Sequence, residues 1–290
     1  MTRARCDVVG IGENSVDVIL RADGTRRISP GGQIATALCT CAALGLRAAY
    51  VGVFGDDDRG RCVRDELNRR AVDTSRAAVR PSRNRYALIL VDGTGERTVF
   101  WQRDKKLQLS AADIERDVIT SARLVHVDNV DEEAALHAAR IARDAGVHVT
   151  TDIDRVTPST IELVETASVP ILAEHVPHAL TGESDPESAL RALRHRHRGM
   201  LCVTLGARGA MLLDGDRLHH APAFPVTPVD TTGAGDVFRG AFIYGLIQGQ
   251  PPERILRFAN AAAAVSCTRE GAIGGVPTRE EVDDYFFRTG

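Results

Sequence analysis

Short, almost continuously apolar runs alternate along this chain with stretches of helical spacing. The runs are Val8-Val9-Gly10-Ile11-Gly12, Tyr50-Val51-Gly52-Val53-Phe54, Leu124-Val125-His126-Val127, Val147-His148-Val149-Thr150, Val169-Pro170-Ile171-Leu172 and Leu201-Cys202-Val203-Thr204-Leu205. Such runs suit strands buried on both faces, as in a parallel sheet covered by helices. The clearest helical stretch begins at Asp131-Glu132-Glu133 and carries Ala134, Ala138, Ile141 and Ala145 on one stripe before Gly146. Acids at its start complement the helix dipole, and glycine is a natural stop. Tyr86-Ala87-Leu88-Ile89-Leu90-Val91 and Arg97-Thr98-Val99-Phe100-Trp101 break the alternation, because Asp92-Gly93-Thr94-Gly95-Glu96 between them predicts a hairpin loop. A hairpin needs a second sheet, which Val16-Asp17-Val18-Ile19-Leu20 can join. The pattern therefore predicts one α/β domain over residues 1–290, with a small β lid inserted through excursions at about 14–30 and 84–104.

Composition narrows the function classes. Of 290 residues, 43% are apolar and 26% charged, which excludes wholesale disorder. Lys+Arg 36 against Asp+Glu 39 leaves a net charge of −3, so neither nucleic acid nor an anionic membrane is expected as a partner. Arg194-His195-Arg196-His197-Arg198 reads as a solvated helix end. No apolar run reaches the roughly 18 residues of a spanning helix, and the first residues carry no signal-peptide pattern, so a cytoplasmic protein is expected. Cys6, Cys39, Cys41, Cys62, Cys202 and Cys267 lie in scattered, mostly apolar segments without a C-x-x-C pair; they read as reduced small hydrophobes.

Two glycine-bearing turns carry candidate chemistry. Asp230-Thr231-Thr232-Gly233-Ala234-Gly235-Asp236 precedes Val237-Phe238-Arg239-Gly240-Ala241-Phe242-Ile243-Tyr244, a segment apolar almost all round. Small residues at a helix start let an anion approach backbone N–H groups, and Asp236 beside them can accept the proton of an attacking hydroxyl. An ordinary capped helix start explains the same residues equally well. Pro30-Gly31-Gly32-Gln33-Ile34-Ala35-Thr36 is a second glycine turn feeding a helix. It suits either a hydroxyl-rich ligand or close helix–strand packing.

Together these segments resemble the two signature regions of the PfkB, or ribokinase-like, family of carbohydrate and nucleoside kinases. Gly12-Glu13-Asn14-Ser15-Val16-Asp17, Thr204-Leu205-Gly206-Ala207-Arg208-Gly209-Ala210, Phe258-Ala259-Asn260-Ala261, Gly271-Ala272 and Val276-Pro277-Thr278 extend the resemblance, in order, over essentially the whole chain. It implies a three-layer α/β/α sandwich with a mainly parallel sheet and a β lid, ATP with Mg²⁺ as phosphoryl donor, and a sugar-like acceptor between lid and core. By the same resemblance Asp236 is the base, and Gly233, Ala234 and Gly235 form the anion hole. Asn14, Asp17, Gly31, Gly32, Gln33 and Thr36 fall on the acceptor face. Thr204, Gly206, Arg208, Gly209 and Asn260 fall by the nucleotide, and Asp230, Thr232 and Gly271 on loops that hold K⁺ in some members. Arg103, with Arg97, flanks the second hairpin strand and could meet an anionic acceptor, although lid-surface charges are the commoner reading. The exposed lid edge implies a homodimer.

Two departures stand out. Thr36 occupies a position where relatives usually carry Asn, which leaves acceptor specificity open. The family's Asn-x-x-Glu element, associated with Mg²⁺ and phosphate, falls on His175-Val176-Pro177-His178. Imidazole is a poor Mg²⁺ ligand, so the metal is expected to arrive with ATP and water, with Glu174, Asp152 or Asp154 in its outer shell. Two histidines without a third ligand more often serve structure than a transition metal. The leading reading is an ATP-dependent sugar kinase. Alternatives are a ligand-binding pseudokinase, a nucleoside kinase of the same family and, from Gly10-Ile11-Gly12, a dinucleotide oxidoreductase with an incomplete fingerprint. No Gly-x-x-x-x-Gly-Lys-Ser/Thr loop is present.

Overall fold

A computed structural model describes residues 6–92 and 97–288, the side chains of Arg97 and Arg288 apart; the tip of the expected hairpin lies outside them. The chain runs through β1 (Cys6–Ile11), β2 (Ser15–Arg21), β3 (Arg26–Gly31), α1 (Gln33–Ala43), β4 (Ala48–Val51), β5 (Val53–Gly55), α2 (Asp58–Arg69), β6 (Val72–Asp73), β7 (Ala78–Arg80), β8 (Tyr86–Val91) and β9 (Arg97–Gln102). It continues with α3 (Arg116–Thr120), β10 (Ala122–Asp128), α4 (Glu132–Asp144), β11 (His148–Asp152), α5 (Thr160–Thr166), β12 (Ile171–Ala173), α6 (His175–Thr181), α7 (Pro186–Leu193) and β13 (Leu201–Thr204). It ends with β14 (Ala210–Asp214), β15 (Arg217–Ala221), α8 (Ala234–Ile247), α9 (Pro252–Cys267) and α10 (Arg279–Arg288).

The apolar runs become the middle of the central sheet. Strands lie in the order β6-β4-β1-β10-β11, all parallel. Single bridges from Thr150 to Val169 and from Ile153 to Leu172 carry the sheet on to β12 and β13, after which β14 and β15 close the edge antiparallel. Val8 packs under α1, α8 and α9 with Leu38, Phe242 and Ala259, while its neighbour Val9 packs on the other face with Ala138, Leu163 and Leu190. Successive side chains of one strand thus feed two cores, which is why these strands tolerate no polar alternation. The result is three layers with a mainly parallel sheet, as expected.

Two local differences have plain causes. The run from Tyr50 to Phe54 is two strands, not one: the Tyr50 ring folds back over Gly52, where a Cβ would overlap its hydroxyl, and donates to the Gly12 carbonyl at 2.8 Å. The antiparallel pair β14–β15 gives no continuous apolar run, because its exposed residues, Asp214, Arg217 and His220, interrupt the pattern. Helix α4 forms where its stripe predicts, and Gly146 beyond it adopts φ 70°.

The small second sheet has the order β3-β2-β8-β9, with β2 and β8 parallel and the outer pairs antiparallel. The hairpin and the added strand match the expectation; β3, rich in arginine and ending on Pro30-Gly31, carries no strand signal. The chain is fastened to the core at each of the two places where it passes into this sheet. Asn14 Nδ2 donates to the Tyr50 hydroxyl (2.7 Å) and the Val53 carbonyl (2.8 Å), and Asn84 Nδ2 donates to Asn14 Oδ1 (3.0 Å). One residue on, Arg85 bridges Asp131 at 2.7 Å with both side chains about 5% exposed, and donates to the Leu107 carbonyl. Among the described residues no helix is long and apolar enough to cross a membrane. Removing one member of a buried ion pair strands the other in low dielectric. Asp131→Ala is therefore expected to cost ~3–5 kcal/mol in chemical denaturation, and a loss under ~1 kcal/mol would show that the pair does not anchor the small sheet.

Candidate active site

Helix α8 begins at a bare N-terminus. Its cap residue Gly233 sits at φ 76°, offers no side chain to the first turn, and packs so closely on Ala272 that a Cβ would lie 2.6 Å from the alanine methyl. The helix supplies no internal partner for the N–H groups of Ala234, Gly235 and Asp236, and of these Ala234 leans back on the Thr231 carbonyl at 3.3 Å. Asp230 fixes the approach: Oδ1 accepts from the Thr232 amide (3.0 Å) and hydroxyl (2.7 Å), and Oδ2 from the Gly271 amide (3.0 Å). Two loops distant in sequence are thereby locked together in front of the helix.

A cleft of ≈ 780 Å³ opens over this turn and is roofed by the small sheet. The pleat decides which side chains face it. Across the sheet Ser29, Asp17, Ala87 and Trp101 stand in one row, and Ile19, Ile89 and Val99 in the next. Of these Asp17, Ala87, Ile89, Val99 and Trp101 line the cleft, a carboxylate at one end and an indole at the other. Arg103 lies 4.4 Å from the Trp101 ring centroid and is held by Glu13 at 3.0 Å. The floor carries Gly233, Gly235, Asp236 and Arg239 from α8, with Asp152, Asp154 and Arg155 from the end of β11 and beyond.

On the other side of the turn lies a second cavity of ≈ 590 Å³, lined largely by apolar groups including Phe224, Pro225, Val226 and Ala263. Thr204 and Gly235 border both spaces, so the first turn of α8 is where they meet. Gly206, Gly209 and Asn260 line the second cavity; Asn260 is fixed by donating to the Ala221 and Pro222 carbonyls at 2.9 and 3.1 Å.

The structure thus brings together Asp236, Gly233, Gly235, Asp17, Gly32, Gln33, Arg103 and Thr232 in the cleft, and Ala234, Thr204, Gly206, Gly209 and Asn260 at the second cavity. Six expected residues line neither space: Asp230 and Gly271 hold the loops in front of the helix, and the other four are placed as follows. Asn14 spends its whole amide inside the core on Tyr50, Val53 and Asn84. Thr36 is buried in α1 and does not line the cleft, and Gly31 lies at the cleft's edge, where an added Cβ would be 3.3 Å from Asp17 Oδ2 and 3.6 Å from the Ala272 methyl. Arg208 pairs with Glu174 at a separate ≈ 430 Å³ pocket that also holds His175 and His178. There His178 Nδ1 lies 3.0 Å from the Glu183 carbonyl, and no group of three metal-capable side chains exists among the described residues. The Arg97 side chain lies outside them. Glu13, Trp101 and Arg239 also line the cleft and were not among the expected residues. The last had a signal, the lone cation of a helix whose only other charged residue is Asp236.

Comparison with known proteins follows the same outline. A family model described as pfkB family carbohydrate kinase matches residues 5–279. Fructokinase-1 of Oryza sativa subsp. japonica is 29% identical over 309 residues, covering 95% of this chain and 96% of that protein. Ribokinase of Bacillus subtilis is 28% identical over 288 residues, covering 94% and 97%. The structure of Arabidopsis thaliana ribokinase complexed with ribose and ATP has a TM-score of 0.84 at 23% identity, covering 97% of this chain and 98% of that one, a likeness of fold.

The floor and roof of the cleft both hold proton-hungry carboxylates. Burial pushes Asp236 well above the usual carboxylate range, and the adjacent Asp152 carboxylate pushes it further, against the opposing pull of Arg239. Asp152 itself is raised to about 6, chiefly by burial. Asp17, 6% exposed, is likewise raised to about 6 by burial and then by the charges of Asp230 and Glu13. Because the folded pKa of Asp17 exceeds its unfolded value near 4, the native state is favoured below that unfolded value and loses the advantage as pH rises through 6. Asp17→Asn, which keeps the shape without the charge, should raise the melting temperature at pH 8 by ~3 °C or more. The gain should vanish toward pH 4; an equal gain at both pH values would show that ionisation of Asp17 is not its source.

Proposed function

This chain belongs to the pfkB family of carbohydrate kinases, and we propose that within it Asp236 takes the proton from an acceptor hydroxyl while the first-turn amides of α8 hold the phosphoryl group in transit. The observation that carries this reading is the position of Gly235, at the one turn shared by a largely apolar cavity suited to a nucleobase and a hydroxyl-binding cleft. As the acceptor oxygen bonds to the γ-phosphorus of ATP, its proton passes to the Asp236 carboxylate. The bond from phosphorus to the β,γ-bridging oxygen breaks, and its electron pair leaves with ADP. Negative charge spreads over the phosphoryl oxygens in transit, where preorganised N–H groups lower the barrier most.

The acceptor is a sugar or sugar-like molecule held under the small sheet as a lid. Asp17 accepts from its hydroxyl groups, and Gln33, whose Oε1 is buried without a partner, offers a further acceptor. Trp101 supplies a flat apolar face for the ring carbons. Magnesium would enter with ATP and keep most of its water, since no group of three metal-capable side chains stands together among the described residues; Asp152 and Asp154, which line the cleft, and Glu174 in the neighbouring pocket would lie in its outer shell. A potassium ion near Asp230, Thr232 and Gly271 would draw on the backbone carbonyls of the two loops that Asp230 holds together. The reading places the chain in the cytoplasm, where ATP is at hand and its six free cysteines stay reduced.

A second copy of the chain covers the outer face of the lid in this proposal. Ile28, Val18, Leu88 and Phe100 form a row across all four strands; Val18 and Leu88 in its middle pack toward the core, while Ile28 and Phe100 at its ends are 50% and 55% exposed. Large apolar side chains left in water in this way are what an association surface would use. Sedimentation should show a dimer that Phe100→Glu converts to monomer; a wild-type chain that is monomeric at every concentration would rule this out.

Catalysis is tested by ADP release across sugars, sugar acids, sugar phosphates and nucleosides with Mg²⁺ and K⁺. Asp236→Asn should reduce acceptor-dependent turnover by ~10³-fold or more, while nucleotide affinity stays within a few-fold of wild type. Ligand binding without turnover by the wild-type chain would instead mark a pseudokinase. The base form of Asp236 is lost as pH falls through its raised pKa, so the acid limb of kcat/KM should lie well above the ordinary aspartate range of about pH 4. An acid limb at the ordinary aspartate position would contradict the assignment.

A further inference from the structure

Helix α8 is apolar throughout except for Asp236 and, one turn later, Arg239. Arg239 is 4% exposed, yet its guanidinium reaches the floor of the cleft. A Cβ added to Gly235 would lie 2.9 Å from Arg239 Nη1, so this nitrogen hangs directly beside the residue where the two cavities meet. The opposite edge of the group is tethered, with Nη2 2.8 Å from Asp152 Oδ1, and Nε is buried without a hydrogen-bond partner. Among the described residues Asp152 is its one ion-pair partner. His126 is held neutral by burial and by Arg239 itself, its pKa lowered to about 3. Asp236, beside Asp152, is pushed well above the usual carboxylate range by burial and by the Asp152 charge, with Arg239 pulling the other way.

A buried arginine is costly, and a buried ion pair returns little net stability compared with apolar packing. What the position does supply is a fixed cation, one edge anchored and one edge free, at the end of a turn already shaped for an anion. We propose that Arg239 Nη1 binds an oxygen of the transferring phosphoryl group, so that this chain carries its own phosphoryl-stabilising arginine inside the helix that bears Asp236. The inference rests on the kinase reading above. Arg239 adds no proton step. The acceptor proton still goes to Asp236 and the leaving electron pair to ADP, while the guanidinium neutralises charge on the group between them.

The test compares ADP with the β,γ-imido analogue of ATP, each with Mg²⁺, by calorimetry on wild type, Arg239→Met and Arg239→Lys, alongside turnover of whichever acceptor the wild type accepts. In Arg239→Met the affinity for ADP should stay within about twofold, while the preference for the analogue over ADP falls at least ~5-fold and kcat drops by ~10²–10³ at nearly constant acceptor KM. Arg239→Lys keeps a charge without the fork and should lose ~10-fold in kcat. It decides the matter if the methionine variant does not fold. An unchanged preference for the analogue with kcat within threefold of wild type would overturn the proposal. So would equal weakening of both nucleotides, which is the mark of a merely structural ion pair. A wild-type chain that binds nucleotide but turns over no acceptor would fail the kinase reading itself, and the two failures are distinguishable.

Discussion

A helix that begins on Gly233, with no side chain to cap it, leaves backbone donors facing open space, and much of the molecule is arranged around that deficit. The turn needs a left-handed residue without a Cβ because Ala272 is packed against it. It also needs Asp230 to bind the Thr232 and Gly271 amides so that the two flanking loops cannot drift apart. The three-layer core supplies the rigidity: α8 is packed between α1 and α9 with Phe242 fully buried. Donors that do not have to reorganise when charge develops beside them are worth more than donors of equal number in a mobile loop.

The second constraint is the way the small sheet hangs from the core. Its two attachments are bolted by the Asn14–Tyr50–Asn84 network and by the Arg85–Asp131 pair, both buried and fully engaged. That leaves Asp17 and Trp101 to project into the cleft from a sheet whose own root is fixed. The charge distribution follows the same division of labour. Acids whose pKa burial raises, Asp17 above and Asp152 with Asp236 below, face the same cleft.

The layered fold was legible because each central strand feeds two cores and so reads as an unbroken apolar run, Val8 and Val9 being the simplest case. The turn at 233–235 was legible because only small residues fit it. Asn14 misled for an instructive reason: its position near the acceptor end of β2 is the same whether its amide faces the ligand or the core, and only the fold of the Tyr50 ring over Gly52 decides. Arg208 adjoins Gly209 in sequence but swings to Glu174, away from the cavity that its neighbour lines. Trp101 and Arg239 were hidden by the opposite effect. Each is a single side chain whose neighbours come from distant segments, and no local spacing records that Asp152 will lie beside Arg239.

The most direct measurement is a crystal structure of the chain with the β,γ-imido analogue of ATP and Mg²⁺. The account places the base in the cavity beside Phe224 and Asn260, and the γ-phosphate at the N–H groups of the 233–235 turn with Asp236 open to the cleft beyond it. Phosphates directed instead toward the pocket of His175 and His178, leaving the start of α8 to water, would contradict it.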